Sequence, residues 1–368
     1  MTFIQATGPT IPYLLVGFVA AAAIAFGLTP IVRRIAVRFD AVDLPGHRRV
    51  NTSPIPRGGG VAVAAAFIAV SLGLLVLNLA APFMDIPTSV DVPEIIGLLV
   101  GGALAAAFGV IDDALDLRAR WQFGGQLALA GFAIYCGFLV EFVNNPLRPG
   151  VIPFVFPVAV AFSVLWIAGM INSINFIDGL DGLSSGIGLI AAVTLGVISL
   201  TTQVAQPFVA VLCFVLAGSL LGFLRWNFHP ASIFVGTSGV MFLGYTLALL
   251  SILGTTKVVV ALLVLGVPII DAFWIIVRRI AQRRSPFSPD RGHLHHRLLD
   301  VGLSHRQTVL LIYGTCLGLA LLSVLLTGAT QLYAFAGVFL AGGVVLFALA
   351  RSGFEVNAPD TTESDSQA

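Results

Sequence analysis

Long apolar runs, separated by short polar segments, repeat along the whole chain. Each run has roughly 18 to 24 residues, enough to cross a hydrocarbon core of about 30 Å as a helix. The runs do not alternate between apolar and polar positions, so a membrane barrel is not predicted. We predict an all-α, polytopic membrane protein with about eleven transmembrane helices, near residues 11–32, 59–80, 94–111, 124–143, 152–171, 183–201, 206–224, 236–254, 258–277, 307–327 and 331–350.

The composition supports this class of protein. Hydrophobic residues make up 58% of the 368 residues and charged residues 10%, and the mean hydropathy is +0.99. A soluble domain needs more polar surface than this. Because Cys136, Cys213 and Cys316 lie in apolar runs, neither a disulfide framework nor a cysteine metal site is predicted. The net charge of +1 indicates nothing about partners, and no nucleic-acid partner is expected.

The loop charges predict an orientation, because basic residues favour the cytoplasmic side. If eleven spans alternate in direction, the arginine-rich loops after the first and ninth spans lie on one side of the membrane. Of the basic loop residues, only Arg148 and Lys257 then lie on the other side. We therefore predict an external N-terminus, with the odd-numbered loops in the cytoplasm. The first span is typical of a retained helix and not of a signal peptide. Residues 1–350 are expected to form the membrane domain, and residues 351–368 a disordered, acidic, cytoplasmic tail.

Four polar patches interrupt the apolar pattern, and all four lie on the predicted cytoplasmic side. Charged groups in a membrane protein mainly mark places that bind or react with something. The first patch contains Asp112 and Asp113. Two close carboxylates repel each other, so they tend to share a proton or a cation. The alternative for this pair is simply a charged helix end at the membrane interface.

The second patch, at residues 172–182, contains four polar side chains spaced three residues apart. This spacing places them along one face of a helix. A helix N-cap needs one such residue, so four exceed that structural role. Oxygen ligands of this kind suit Mg²⁺ and not zinc, and the four are Asn172, Asn175, Asp178 and Asp181.

The third and fourth patches carry aromatic and basic groups. Asn227 and Phe234 flank a turn, and the ring could stack on a nucleobase or pack in the protein. Residues 290–297 contain three histidines among arginines, a combination that suits phosphate better than a metal cation. A basic loop on anionic lipid headgroups is the alternative, but it leaves the histidines unexplained.

Carboxylates for Mg²⁺, basic groups for phosphate and a membrane setting together indicate phosphoryl transfer that involves a lipid. In such chemistry the protein chiefly positions groups and neutralises charge. A transporter is a rival interpretation, since charged helix ends can line a substrate path. Transporters place their polar groups near the bilayer midplane, however, and these runs carry almost no charge there.

The motifs, taken in order, also resemble a known family. They are residues 43–45 with 54–60, the Asp112–Asp113 pair, and residues 172–183, 227–239 and 293–296. Over residues 43–306 the chain is similar to the polyprenyl-phosphate N-acetylhexosamine-1-phosphate transferases of glycosyltransferase family 4. This resemblance implies that a lipid phosphate attacks the β-phosphorus of a UDP-N-acetylhexosamine. UMP leaves, and a lipid diphosphate sugar remains.

The resemblance implies roles for individual residues. It assigns catalysis to Asp112, Asp113, Asp178 and Asp181, and a Mg²⁺ site, with Mn²⁺ as an alternative ion, to Asn175, Asp178 and Thr237. It assigns the nucleotide and diphosphate to Asn172, Asn227, Phe234, Arg291, His293, His295 and His296, and the lipid phosphate to Arg57. The expected partners are undecaprenyl phosphate, the UDP-sugar and membrane lipid in the bacterial inner membrane, with a homodimer left open.

The His-x-His-His order resembles the N-acetylglucosamine-1-phosphate branch more than the peptidoglycan branch, whose substrate is phospho-MurNAc-pentapeptide. The product would be the first lipid-linked intermediate of a cell-envelope polysaccharide such as lipopolysaccharide or teichoic acid. Two positions depart from the family pattern. Thr237 replaces an aspartate that ligates metal, and Asn51 replaces a basic residue. Thr237 therefore also raises the alternative of an inactive paralogue that acts as an assembly partner.

Overall fold

The structure is a computed structural model that describes most of the chain. The described residues are 10–43, 54–80, 82, 86, 90–145, 150–201, 204–253, 258–283 and 292–351. Arg291 and Asn51 lie outside them, as does the predicted acidic tail apart from Arg351. These parts of the sequence analysis stay predictions.

Helices make up nearly all of the regular structure. Within the described residues they are α1 (Ile11–Arg38), α2 (Gly60–Ala80), α3 (Val92–Leu115), α4 (Ala119–Tyr135), α5 (Phe156–Ile177), α6 (Leu183–Ser199), α7 (Pro207–Asn227), α8 (Gly236–Ile252), α9 (Val258–Val264), α10 (Gly266–Ala281), α11 (Leu294–Asp300), α12 (His305–Leu325) and α13 (Ala329–Arg351). Two small antiparallel pairs join β1 (Val42–Asp43) to β2 (Ile55–Pro56), and β3 (Phe142–Asn144) to β4 (Val151–Pro153). The all-α prediction is confirmed at this level.

Each of the eleven predicted runs contains part of a helix, although not all of these helices are long enough to span a membrane unaided. Among the described residues, seven helices have the length and composition of membrane spans, and there are eight if the bent pair α9 and α10 forms one span. Helices α4, α6 and α8 each have 17 residues. The number eleven and the external N-terminus therefore stay predictions.

Two of the predicted runs differ from the helices of the structure, for backbone reasons. The ninth run, 258–277, is covered by helices but is not straight, because α9 and α10 meet at an angle of 80°. Pro268, close to the break, cannot donate a helical hydrogen bond. The fourth run, 124–143, ends early because Gly137 has a φ of 103°, a conformation that favours glycine.

Helix α8 is the centre of the bundle. Every residue from 238 to 252 is buried, which is typical of a helix that is apolar on all sides. Helices α3 and α5 pack on it, while α7 packs between α1 and α6. The last residues of α3, α5 and α7 and the first residues of α8 meet at one end of the bundle. The functional site lies at this end.

Glycines allow α1 and α7 to approach closely. Gly218 faces the backbone of Phe18, and Gly222, four residues later, faces the backbone of Ala22. Small residues with this spacing are a common means of packing membrane helices, because they let two backbones come together.

Gly218→Ala is therefore expected to destabilise the bundle by about 1–3 kcal/mol, since a new Cβ would overlap the α1 backbone. Gly73→Ala in α2 is the matched control, because its Cβ would meet open space. Thermal unfolding in detergent should show a lower midpoint for Gly218→Ala only. Equal midpoints for the two variants would contradict the close packing of α1 on α7.

Candidate active site

A cavity of about 320 Å³ opens at the end of the bundle where α3, α5 and α7 finish. It brings together residues from all four polar patches and from the loop before α2. The sequence-predicted residues that line it are Arg57, Asp113, Asn175, Asp178, Asp181, Asn227, Phe234, Thr237 and His296. Side chains more than 200 residues apart in sequence thus line one cavity.

Asp113 joins the end of α3 to the start of α8. Its two carboxylate oxygens accept hydrogen bonds from the backbone N–H groups of Thr237 (2.8 Å) and Ser238 (3.0 Å). These amides lack partners within their own helix, and the helix dipole favours a negative charge there. Asp113 therefore fixes the position of Thr237 on the cavity wall.

Gly236 makes this contact sterically feasible. Its φ of 72° lies in the left-handed region, and a Cβ there would lie 2.6 Å from an oxygen of Asp113. A larger residue would thus displace the carboxylate from the helix end.

The turn between α5 and α6 concentrates negative charge. Asp178 caps the end of α5, and its carboxylate accepts a 2.5 Å hydrogen bond from Ser184 Oγ. Burial raises the pKa of Asp178 to about 7, and the carboxylates of Asp113 and Asp181 act in the same direction against the Ser184 bond. A cation bound beside Asp178 would offset the cost of ionising this buried carboxyl group.

Asp181 forms the far side of the same turn. Its Oδ2 lies 2.7 Å from Nδ1 of His229 and accepts a 3.0 Å hydrogen bond from the N–H of Ala231. The turn is therefore tied to the loop between α7 and α8.

The opposite wall comes from the segment before α2. Arg57 forms an ion pair with Asp43. The backbone of this segment pairs with that of the α7–α8 loop, through Phe234 N to Pro56 O at 2.8 Å and Gly59 N to Phe234 O at 2.9 Å. The half-buried Phe234 ring consequently borders the cavity beside a cationic group.

The three histidines occupy different environments. Only His296 lines the described cavity. His295 is 1% exposed and packs on Gly179, where any Cβ would overlap its ring. Burial lowers the pKa of His295 well below its usual range, and the neighbouring histidines add to this effect. His295 is therefore neutral and supports the cavity wall from behind.

His293 is held by a residue that the sequence analysis missed. Asp271 of α10, which is 1% exposed, lies 2.8 Å from His293 Nδ1 and accepts a 2.8 Å hydrogen bond from the N–H of Leu294. Its charge inside the predicted ninth span was a signal that could have identified it. Asp43 and His229 were also missed, although Asp43 belongs to a quoted motif.

Four predicted residues lie outside the described lining of the cavity, namely Asp112, Asn172, His293 and His295. Asp112 accepts a 2.9 Å hydrogen bond from Gln122 of α4. The Asn172 amide donates to Gln126, also on α4, at 2.6 Å. Asp112 and Asn172 therefore face α4 and not the described cavity. Asp112 is rotated about 100° around the helix from Asp113, whereas Asn172 lies about one turn deeper along α5 than Asn175.

Asn227 borders the cavity, but its amide is engaged within the protein. Its Oδ1 accepts a 2.7 Å hydrogen bond from Ser185 Oγ, and its Nδ2 donates to the Ile233 carbonyl at 3.0 Å. With 2% exposure, Asn227 shapes the loop that carries Phe234.

Comparison with known proteins identifies the family. Residues 95–255 match the family described as glycosyl transferase family 4. A Bacillus subtilis protein named probable undecaprenyl-phosphate N-acetylglucosaminyl 1-phosphate transferase is 37% identical over 306 residues, covering 82% of this chain and 81% of its own. The chain belongs to glycosyl transferase family 4. The resemblance predicted from its motifs is thereby confirmed.

Two further relatives of this family 4 protein have similar coverage. A Mycobacterium leprae protein named decaprenyl-phosphate N-acetylglucosaminephosphotransferase is 38% identical over 328 residues, with 81% of this chain and 80% of the relative covered. An undecaprenyl-phosphate alpha-N-acetylglucosaminyl 1-phosphate transferase of Yersinia pestis is 27% identical over 309 residues, with 80% and 79% covered.

The contact between Asp271 and the histidine segment is testable without a substrate. Asp271→Asn keeps the shape of the side chain but removes the charge that holds His293 and the Leu294 amide. Hydrogen bonds to charged groups contribute about 1.5–3 kcal/mol, so exchange of the 294–300 amides should be roughly ten- to a hundredfold faster. The control is Asp300→Asn at the exposed end of α11. Equal exchange in both variants would contradict the role given to Asp271.

Proposed function

We propose that this protein transfers N-acetylglucosamine 1-phosphate from UDP-N-acetylglucosamine to undecaprenyl phosphate and releases UMP. The observation that carries the proposal is the cavity itself, which combines a carboxylate cluster, an aromatic ring and basic side chains at the end of apolar helices. The names of the relatives support the same reaction. They favour N-acetylglucosamine over the phospho-MurNAc-pentapeptide branch, and an enzyme over a transporter.

The chemistry is an in-line displacement at phosphorus. An oxygen of the lipid phosphate forms a bond to the β-phosphorus of the nucleotide sugar, and the bond between that phosphorus and the UMP oxygen breaks. The second pKa of a phosphate monoester is about 6, so the acceptor is already largely ionised near neutral pH. The reaction therefore has little need of a general base, and positioning and charge neutralisation carry most of the catalysis.

The basic and aromatic residues act on the donor and acceptor. We propose that His296 and Arg57 bind phosphate oxygens from opposite walls, and that Phe234 stacks on the uracil ring. Asp43 orients Arg57, and His295 and Asp271 hold the segment that carries His296. This arrangement keeps two flexible phosphate groups in reach of each other.

The carboxylate cluster fits a magnesium ion. Asn175, Asp178 and Thr237 offer oxygen ligands, which is the chemistry that Mg²⁺ prefers. Burial raises the pKa of Asp178, and a bound cation would favour its ionised form. These residues would hold Mg²⁺ or Mn²⁺, which supplies charge neutralisation at the diphosphate. Asp113 keeps Thr237 in place, and Asp181 adds negative charge to the same wall.

The topology of the reaction is part of the proposal. Both substrates are expected at the cytoplasmic face of the bacterial inner membrane, with the N-terminus external, because the arginine-rich loops favour that side. The second candidate function is an inactive paralogue, and the single observation that favours it is Thr237 at the cavity wall.

The proposal is tested by incubating purified protein with undecaprenyl phosphate, Mg²⁺ and a panel of UDP-sugars, and measuring UMP. UMP should form from UDP-N-acetylglucosamine only when lipid and metal are both present. Asp178→Asn is expected to lower the rate about a hundredfold or more, because charge stabilisation in phosphoryl transfer contributes several kcal/mol. No turnover with any UDP-sugar, or UMP formation without lipid, would count against the proposal.

Thr237 gives a second prediction. Its neutral hydroxyl, or a water held by it, should bind Mg²⁺ more weakly than a carboxylate does. Thr237→Asp is therefore expected to lower the Mg²⁺ concentration that gives the half-maximal rate. If the variant needs the same Mg²⁺ concentration as the wild type, position 237 does not belong to the metal site. If the wild type is inactive and Thr237→Asp gains activity, the protein is an inactive paralogue.

Asp178 gives a pH dependence that is independent of turnover. Its pKa of about 7 applies to the metal-free protein, and metal binding requires the ionised carboxylate. Protons thus compete below pH 7, where affinity should fall by close to tenfold per pH unit, and the affinity should be constant above it. Electron paramagnetic resonance of Mn²⁺ measures the bound fraction, and Asp178→Asn is the control without this slope. The same slope in the variant would assign it to another group.

A further inference from the structure

A second group of metal-binding side chains lies behind the cavity wall. Asp181, His229 and His305 each offer one ligand atom, and these atoms all lie within 4.8 Å of one another. They come from three separate elements, which are the α5–α6 turn, the α7–α8 loop and the first residue of α12. Of the three, only Asp181 also lines the described cavity.

The contacts within the group leave His305 unexplained. His229 has a partner, since its Nδ1 lies 2.7 Å from Asp181. The His305 ring stacks on that of His229, with ring centres 4.1 Å apart and planes inclined by 22°. Both ring nitrogens of His305 are shielded from solvent and make no well-formed hydrogen bond to a described residue, although the backbone of Asp181 lies close enough to act on the ring. Buried polar atoms of this kind carry a desolvation cost unless something binds them.

Two imidazoles and one carboxylate differ in chemistry from the oxygen donors around Asp178. Nitrogen ligands suit zinc, whereas Mg²⁺ prefers oxygen. Ligands about one tetrahedral zinc lie roughly 3.3 Å apart. The 2.7 Å pair of Asp181 and His229 and the overall limit of 4.8 Å lie on either side of this value. For both histidines to ligate one ion, at least one of the two stacked rings would have to turn out of the near-parallel arrangement, because a metal ion lies close to the plane of each imidazole that binds it.

We propose that Asp181, His229 and His305 bind a zinc ion, with water as the fourth ligand. The ion would cross-link the three elements where weaker ties already connect them. Tyr313 Oη of α12 donates a hydrogen bond to the Gly182 carbonyl, and Arg306 donates to the His229 carbonyl at 3.1 Å. Because Asp181 belongs to both groups, zinc would fix one wall of the cavity. This site goes beyond the proposed reaction and does not depend on it.

The test is the zinc content of the full chain, purified through a tag without histidines and washed with chelator. Titration against a chromophoric zinc chelator is expected to give one tightly bound ion per chain. His305→Gln and His229→Gln should each weaken binding about tenfold or more, because each removes a nitrogen ligand. His296→Gln is the matched control, since it lies in the same region but outside the group, and it should keep the ion.

Three results would overturn the proposal. They are no zinc above background in the wild type, equal affinity in all three variants, and a loss in His296→Gln as large as in His305→Gln. Cobalt gives a check on the wild type alone. Co²⁺ should show the strong visible absorption of a four-coordinate site, and its absence also counts against zinc. UMP release is measured on the same samples, so failure of the zinc site and failure of the proposed reaction are separately visible.

Discussion

Helix α8 is buried from residue 238 to residue 252, yet it begins beside a cavity lined by charged side chains. The arrangement of the site depends on this constraint. The first amides of α8 need acceptors, and Asp113 supplies them from the end of α3. One carboxylate thereby satisfies the helix end, joins two central helices and sets the position of Thr237. A carboxylate that makes two such bonds is better suited to holding a wall in place than to moving protons.

The second organising effect is the concentration of charge at one end of an apolar bundle. Besides Asp43, which is paired with Arg57, three carboxylates border the cavity of about 320 Å³, namely Asp113 at the end of α3 and Asp178 and Asp181 in the α5–α6 turn. Close carboxylates are costly to bury unless cations or protons accompany them. Arg57 is paired with Asp43, although its charge also acts on Asp113. Burial is the main cause of the raised pKa of Asp178, and the neighbouring carboxylates add to it. Both effects favour a bound cation, and therefore a metal–diphosphate complex.

Sequence patterns predicted the helices well, because apolar runs must become helices in lipid. They also predicted that the four patches converge, since Asp113, Asn175, Phe234 and His296 share the cavity. They did not predict which polar residues of a patch face it. Asp112 and Asn172 hydrogen-bond glutamines of α4 instead. This depends on helix rotation for Asp112 and on depth along α5 for Asn172, and the sequence leaves both undetermined. The break between α9 and α10 was missed because a hydropathy profile identifies apolar segments but not a change in the direction of the helix axis.

The central claim is that the cavity moves a phosphosugar and not a sugar alone. The most direct measurement is the fate of a label on the β-phosphorus of UDP-N-acetylglucosamine, followed after a single turnover with undecaprenyl phosphate. Phosphoryl transfer predicts that the label partitions into the lipid phase while the released nucleotide is unlabelled UMP. A label that remains in water-soluble UDP would mean that the bond to the sugar had broken instead, and would contradict the account.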